Sequence, residues 1–141
     1  MSRTNAAAVR PRDPSTRPAV LVVEDDENLR SAVRAVLEFL DYDVEDVEEP
    51  KDALARFRAR PARFDVLLTD VKMKGMSGPA LARKARSLRP DLPVVFLSGL
   101  ARDDDLNKPD LRDFPLLAKP VSMATLKTAL KQALARSAPG P

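Results

Sequence analysis

Apolar runs alternate with amphipathic segments along this chain. Ala19 to Val23 (AVLVV) is continuous and β-prone, the pattern of a strand buried on both faces. Leu29, Ala32, Val33, Val36, Leu37 and Leu40 then recur at i, i+3, i+4, i+7, i+8 and i+11, which predicts a helix with one apolar face. Tyr42 to Val47 (YDVEDV) mixes acids with apolar residues and suits an edge strand. Pro50 fits the first turn of a second helix with Ala53, Leu54 and Phe57 inward. Asp65 to Thr69 (DVLLT) reads as a third strand. A helix from about Pro79 to Leu88 follows, with Leu81, Ala85 and Leu88 on one face. Pro93 to Leu97 and Pro115 to Ala118 supply the fourth and fifth strands. A last helix runs from Ser122, its predicted N-cap, through Leu126, Leu130 and Leu134 to Arg136.

Repeated alternation of strand and helix predicts a parallel sheet with helices on both faces. One connection breaks the rhythm. From Gly99 to Phe114 the sequence GLARDDDLNKPDLRDF has scattered leucines and a proline at 109, so the fourth helix is expected to be short or irregular. In such a sheet, ligands bind beyond the carboxyl ends of the strands. The residues found there are Glu24, Asp25 and Asp26 after the first strand, Asp70 after the third, Ser98 after the fourth and Lys119-Pro120 after the fifth. Singly these are ordinary capping and turn residues, and Asp26 or Asn28 suits the N-cap of the first helix. Their joint occurrence at four strand ends changes the reading.

Composition removes several alternatives. The chain of 141 residues is one domain's worth, with 44% apolar and 32% charged residues. It has no cysteine and no histidine, which excludes disulfides, thiolate zinc sites, imidazole bases and a phosphohistidine of its own. The net charge of +3 resides in the N-terminal segment: residues 1–17 hold Arg3, Arg10, Arg12 and Arg17 against Asp13, and the remainder balances at 20 basic and 20 acidic residues. With aromatics at 4%, the folded part offers no nucleic-acid platform. Residues 1–17 read as a flexible basic tail, 18–136 as the folded domain and 137–141 as a disordered end. No apolar run reaches a membrane-spanning length and no signal-peptide core is present, so a cytoplasmic protein is expected.

Clustered carboxylates repel one another unless they share a cation. A hard divalent cation with oxygen ligands resolves this, and Mg²⁺ characteristically takes one or two carboxylates plus substrate phosphate. An ammonium and a hydroxyl nearby complete a phosphoryl-binding site, and a carboxylate can serve as the in-line nucleophile. Asp70, at the end of the central strand, is the candidate.

At this point VLVVEDD, LLTDVKMKGMSG, FLSG and LAKP resemble the marks of the response-regulator receiver domain of two-component signalling, over about residues 18–136. The segment from DVKMKGMSG through PDLPVVFLSG is similar to receivers attached to hybrid histidine kinases. The resemblance implies a flavodoxin-like doubly wound (βα)5 fold, with a five-stranded parallel sheet of order 2-1-3-4-5. It implies that Asp70 accepts a phosphoryl group from the phosphohistidine of a histidine kinase or histidine phosphotransfer protein. Mg²⁺ would be held by Asp25 directly, by Glu24 through water, by Asp70 and by the backbone carbonyl of Lys72. Lys119 would pair with a phosphoryl oxygen, its bond to Pro120 being cis, and Ser98 would turn its hydroxyl toward the phosphoryl group.

Two positions depart from the family pattern. Lys74 stands where the family has proline, four residues after the acceptor. Leu116 stands at the switch position, where an aromatic side chain is usual, which implies an unusual output face. The expectation is a free-standing receiver with no attached output domain. It would not be an enzyme in the ordinary sense and would signal through a downstream protein partner, with homodimerisation left open. Two other classes compete. A pseudo-receiver would bind a partner without phosphorylation. An aspartate-nucleophile phosphatase needs an acid two residues after the nucleophile, where this chain has Lys72.

Overall fold

The computed structural model describes residues 17–99 and 104–137. The expectations for the two tails fall outside these residues, apart from Arg17 and Ser137. Five strands form one parallel sheet in the order β2-β1-β3-β4-β5, the order expected. They are β1 (Ala19–Val23), β2 (Asp43–Val47), β3 (Val66–Asp70), β4 (Val94–Ser98) and β5 (Leu116–Ala118). β1 and β3 are buried along their whole length, which is why their sequences are continuously apolar rather than alternating. β3 begins and ends one residue later than its apolar run suggested, so Asp70 lies inside the ladder opposite Leu97. β4 likewise takes in Ser98.

Helices α1 (Glu27–Phe39) and α4 (Met123–Ser137) cover one face of the sheet, where Val33, Leu37, Leu126 and Leu130 join Val20, Val22, Leu68 and Val95. Helices α2 (Pro50–Ala59) and α3 (Gly78–Leu88) cover the other, where Leu54, Phe57, Leu81 and Ala85 meet Leu21, Leu67 and Phe96. Pro50 occupies the first turn of α2, where its missing N–H is not needed. Asp26 caps α1 by accepting from Leu29 N–H (3.1 Å), and Ser77 caps α3 by accepting from Ala80 N–H (3.1 Å). Ser122 accepts from Thr125 N–H at the start of α4 (3.1 Å). Each such bond satisfies a donor the helix leaves open.

α1 closes with Asp41 in the left-handed region (φ 72°). Asp41 N–H donates to Glu38 C=O and Tyr42 N–H to Leu37 C=O, both at 3.0 Å, which is the Schellman pattern. Ala32 and Leu88, placed inward by periodicity, are exposed. The apolar stripes of α1 and α3 are narrower than a full heptad reading implies. Among the described residues, the β4–β5 connection holds one 3-10 turn, Asp104–Asn107, in place of a fourth α-helix. Leu106 and Leu111 anchor it in the core, and Arg83 of α3 pairs with Asp110 (2.8 Å) and Asp105 (3.4 Å).

Candidate functional site

The carboxyl ends of the strands bring together side chains that lie far apart in sequence. Glu24 and Asp25 follow β1, Asp70 closes β3, Ser98 closes β4 and Lys119 follows β5. Carboxylate oxygens of Glu24, Asp25 and Asp70 lie within 4.8 Å of one another. Glu24 is 1% and Asp70 5% exposed, while Asp25 faces solvent. The Lys119 ammonium sits between the two buried acids, 2.8 Å from Asp70 Oδ1 and 3.0 Å from Glu24 Oε1. Its peptide bond to Pro120 is cis. Ser98 faces Ala118 across the β4–β5 ladder, and its carbonyl accepts from Lys119 N–H (2.9 Å). Lys119 and the end of β4 are thereby held in register.

Among the described residues, three carboxylates meet one ammonium, which leaves the cluster short of positive charge. Burial pushes the Glu24 carboxyl above its usual value, with Asp70 adding to the rise, while Asp26 N–H and Lys119 oppose it. For Lys119, burial pulls the ammonium's pKa down, but the Asp70 and Glu24 carboxylates beside it outweigh that and raise it. Glu24 Oε2 accepts from Asp26 N–H (3.0 Å). Among the described residues, Glu24 Oε1 is buried without a hydrogen bond of good geometry, and the Lys119 ammonium lies 3.0 Å from it as an ion pair. An underused buried oxygen among carboxylates fits a hard divalent cation, since these donors are of the kind Mg²⁺ takes.

The family model of the response regulator receiver domain matches residues 20–131. The chain belongs to that receiver family. The response regulator receiver protein CpdR of Brucella abortus (strain 2308) is 33% identical over 118 residues, which cover 82% of this chain and 95% of CpdR. The sensor kinase CckA of the same organism is 33% identical over 123 residues, or 86% of this chain but 13% of CckA. A solved response regulator receiver domain protein from Methanospirillum hungatei JF-1 superposes with a TM-score of 0.77 at 28% identity, covering 86% of this chain and 97% of that one. Among the described residues of this receiver, no helix is long and apolar enough to cross a membrane.

The remaining positions singled out in the sequence lie on the loop after β3 and at the start of β5. Lys72 and Lys74 are exposed on the loop between β3 and α3. Leu116 faces Phe96 across the ladder and is 48% exposed. Three residues that pattern reading passed over also shape the site. Thr69 donates from Oγ1 to the Asp70 carbonyl (3.0 Å). Gly78 brings its N–H to the Val71 carbonyl (2.7 Å), and a Cβ there would collide with the Asp70 carbonyl oxygen. Arg30 donates to the Glu24 carbonyl (2.9 Å). The glycine in GMSG was a visible signal of close backbone approach. Arg30 gave none, because its partners are a backbone atom and a residue of another element.

Proposed function

We propose that Asp70 accepts a phosphoryl group from the phosphohistidine of a histidine kinase or histidine phosphotransfer protein, in a Mg²⁺-dependent reaction in the cytoplasm. The phosphorylated receiver then signals through contacts with a downstream protein. The observation that carries this reading is the Lys119 ammonium bridging two buried carboxylates at the strand ends, with a third carboxylate beside them.

A carboxylate oxygen of Asp70 attacks phosphorus, the N–P bond to the donor imidazole breaks, and its electron pair leaves with the imidazole nitrogen. The product is an acyl phosphate. Glu24, Asp25, Asp70 and the Lys72 carbonyl would hold Mg²⁺, which when bound neutralises charge on the phosphoryl oxygens. Lys119 already contacts Asp70 and passes to a phosphoryl oxygen as it arrives, so its charge is placed before the reaction begins. Ser98, held beside Lys119, turns its hydroxyl toward the new group. The added charge of about −1.5 to −2 at pH 7 reorganises the β4–β5 connection that starts one residue later.

Mass spectrometry after incubation with acetyl phosphate tests the chemistry, with and without Mg²⁺, on the wild type and on Asp70→Asn. One phosphoryl group added to the wild type in a metal-dependent manner, and lost in the variant, is the expected result. Equal labelling of the variant means another acceptor. Absence of labelling from acetyl phosphate and from a phosphorylated donor protein favours a pseudo-receiver.

A further inference from the structure

We propose that Arg30 is a positioning residue for the acceptor site, an inference that rests on the metal-dependent reading above. β1 ends at Val23, and the last backbone link of this segment to β2 runs from Glu24 N–H to the Val47 carbonyl (3.2 Å). The Glu24 carbonyl therefore lies past the ladder, where a strand-end acceptor needs another donor. Arg30, one turn into α1, reaches back and donates to it from one guanidinium nitrogen at 2.9 Å. Its Nε donates to Asp46 Oδ2 at 3.0 Å. Asp46 lies on β2 opposite Val22, and its other oxygen holds Arg34, which in turn pairs with Glu38 at 3.0 Å.

One rigid fork thus ties the turn carrying two of the site's acids to the edge strand. The Arg30 side chain is 16% exposed, so it is screened less than a surface ion pair. What it grips is the peptide unit joining Glu24 to Asp25. Rotating that unit swings the Asp25 carboxylate relative to Asp70, whereas the Glu24 side chain is held separately by Asp26 N–H and Lys119. Arg30 therefore sets the direction in which the exposed acid points. It touches none of the three carboxylates itself in the contacts the structure shows, and acts through the backbone between them.

Charge and geometry predict opposite outcomes, which makes the role measurable. A cation beside a cation site weakens Mg²⁺ binding by Coulomb repulsion, so on charge alone Arg30→Ala tightens binding and Arg30→Lys matches the wild type. Positioning predicts that both variants weaken it, because the compact ammonium of lysine cannot span a carbonyl and a carboxylate as the guanidinium fork does. Loss of such outer contacts typically costs about 10–100-fold in metal affinity.

The test is calorimetric titration of the full chain with MgCl₂, alongside exchange of the Glu24 amide hydrogen, which donates to the Val47 carbonyl. At least a tenfold loss of affinity and faster Glu24 amide exchange in Arg30→Lys are expected. Asp46→Ala, which removes the acceptor at the fork's other end, gives the same pair of changes and serves if the arginine variants fold poorly. Arg34→Ala breaks pairs on the same aspartate without touching Glu24, and keeps wild-type affinity. A wild type that binds Mg²⁺, with Arg30→Lys and Asp46→Ala equal to it, overturns the positioning role and leaves the site reading intact. A wild type that binds no Mg²⁺ overturns both.

Discussion

Gly78→Ala sets helix propensity against packing at the point where α3 meets the acceptor strand. On propensity alone, replacing a helical glycine by alanine stabilises by up to about 1 kcal/mol. Here the new Cβ would overlap the Asp70 carbonyl oxygen and lie 3.0 Å from Val71 Cα and 3.1 Å from the Asp70 carbonyl carbon. These are backbone atoms of an anchored segment: Asp70 is in the ladder with β4, and Val71 N–H donates to the Leu97 carbonyl (2.9 Å). Relief must come from shifting the start of α3, at the expense of the Gly78 N–H to Val71 bond. Overpacking costs about 1–3 kcal/mol and a lost hydrogen bond about 1 kcal/mol more, so packing wins and the net loss is about 1–3 kcal/mol. Urea unfolding followed by circular dichroism should show the midpoint falling by roughly 0.3–3 M, given slopes of about 1–3 kcal/mol/M. Gly75→Ala is the control. Gly75 has φ 86° with open space around it, so its cost is backbone strain alone, about 1 kcal/mol. A Gly78→Ala midpoint at or above the wild type would refute the packing argument.

Tyr42 is the chain's single tyrosine and there is no tryptophan, so absorbance near 295 nm reports its ionisation alone. Burial raises its pKa, so the native state holds the proton to higher pH than the unfolded chain, whose tyrosine titrates near about 10. Its contribution to stability is therefore full below pH ~10 and falls as pH rises toward the native value; a native midpoint at or below 10 contradicts this, and Tyr42→Phe should flatten that part of the alkaline loss. Asp41→Gly removes a left-handed L-residue from the end of α1 and should raise stability by about 0.5 kcal/mol, read as a higher urea midpoint. Mg²⁺ at about 100 times its dissociation constant should stabilise the wild type by about 2.7 kcal/mol and leave Asp25→Asn nearly unchanged in thermal melts.

The alternation of elements and the acids, hydroxyl and lysine at strand ends were legible in the linear chain, because burial on two faces demands continuous apolar runs and their ends are marked by polar residues. The weak fourth helix was equally plain in GLARDDDLNKPDLRDF, where proline and charge interrupt any stripe. Ala32 and Leu88 misled because alanine and leucine satisfy a helical period whether or not a neighbour covers them. Asp41 gave no glycine signal for its left-handed cap, since the Schellman bonds and the buried Tyr42 beside it hold the turn.

Sequence by itself determined the fold class, the sheet's two-sided burial and which chemical groups stand at the strand ends, since these follow from local periodicity and residue type. Only the tertiary structure decided that Lys119 lies between Glu24 and Asp70 rather than merely near them, that Gly78 must lack a side chain, and that Arg30 grips the Glu24 carbonyl. Each is a distance between elements separated along the chain, and such distances are set by how strands pair and helices pack.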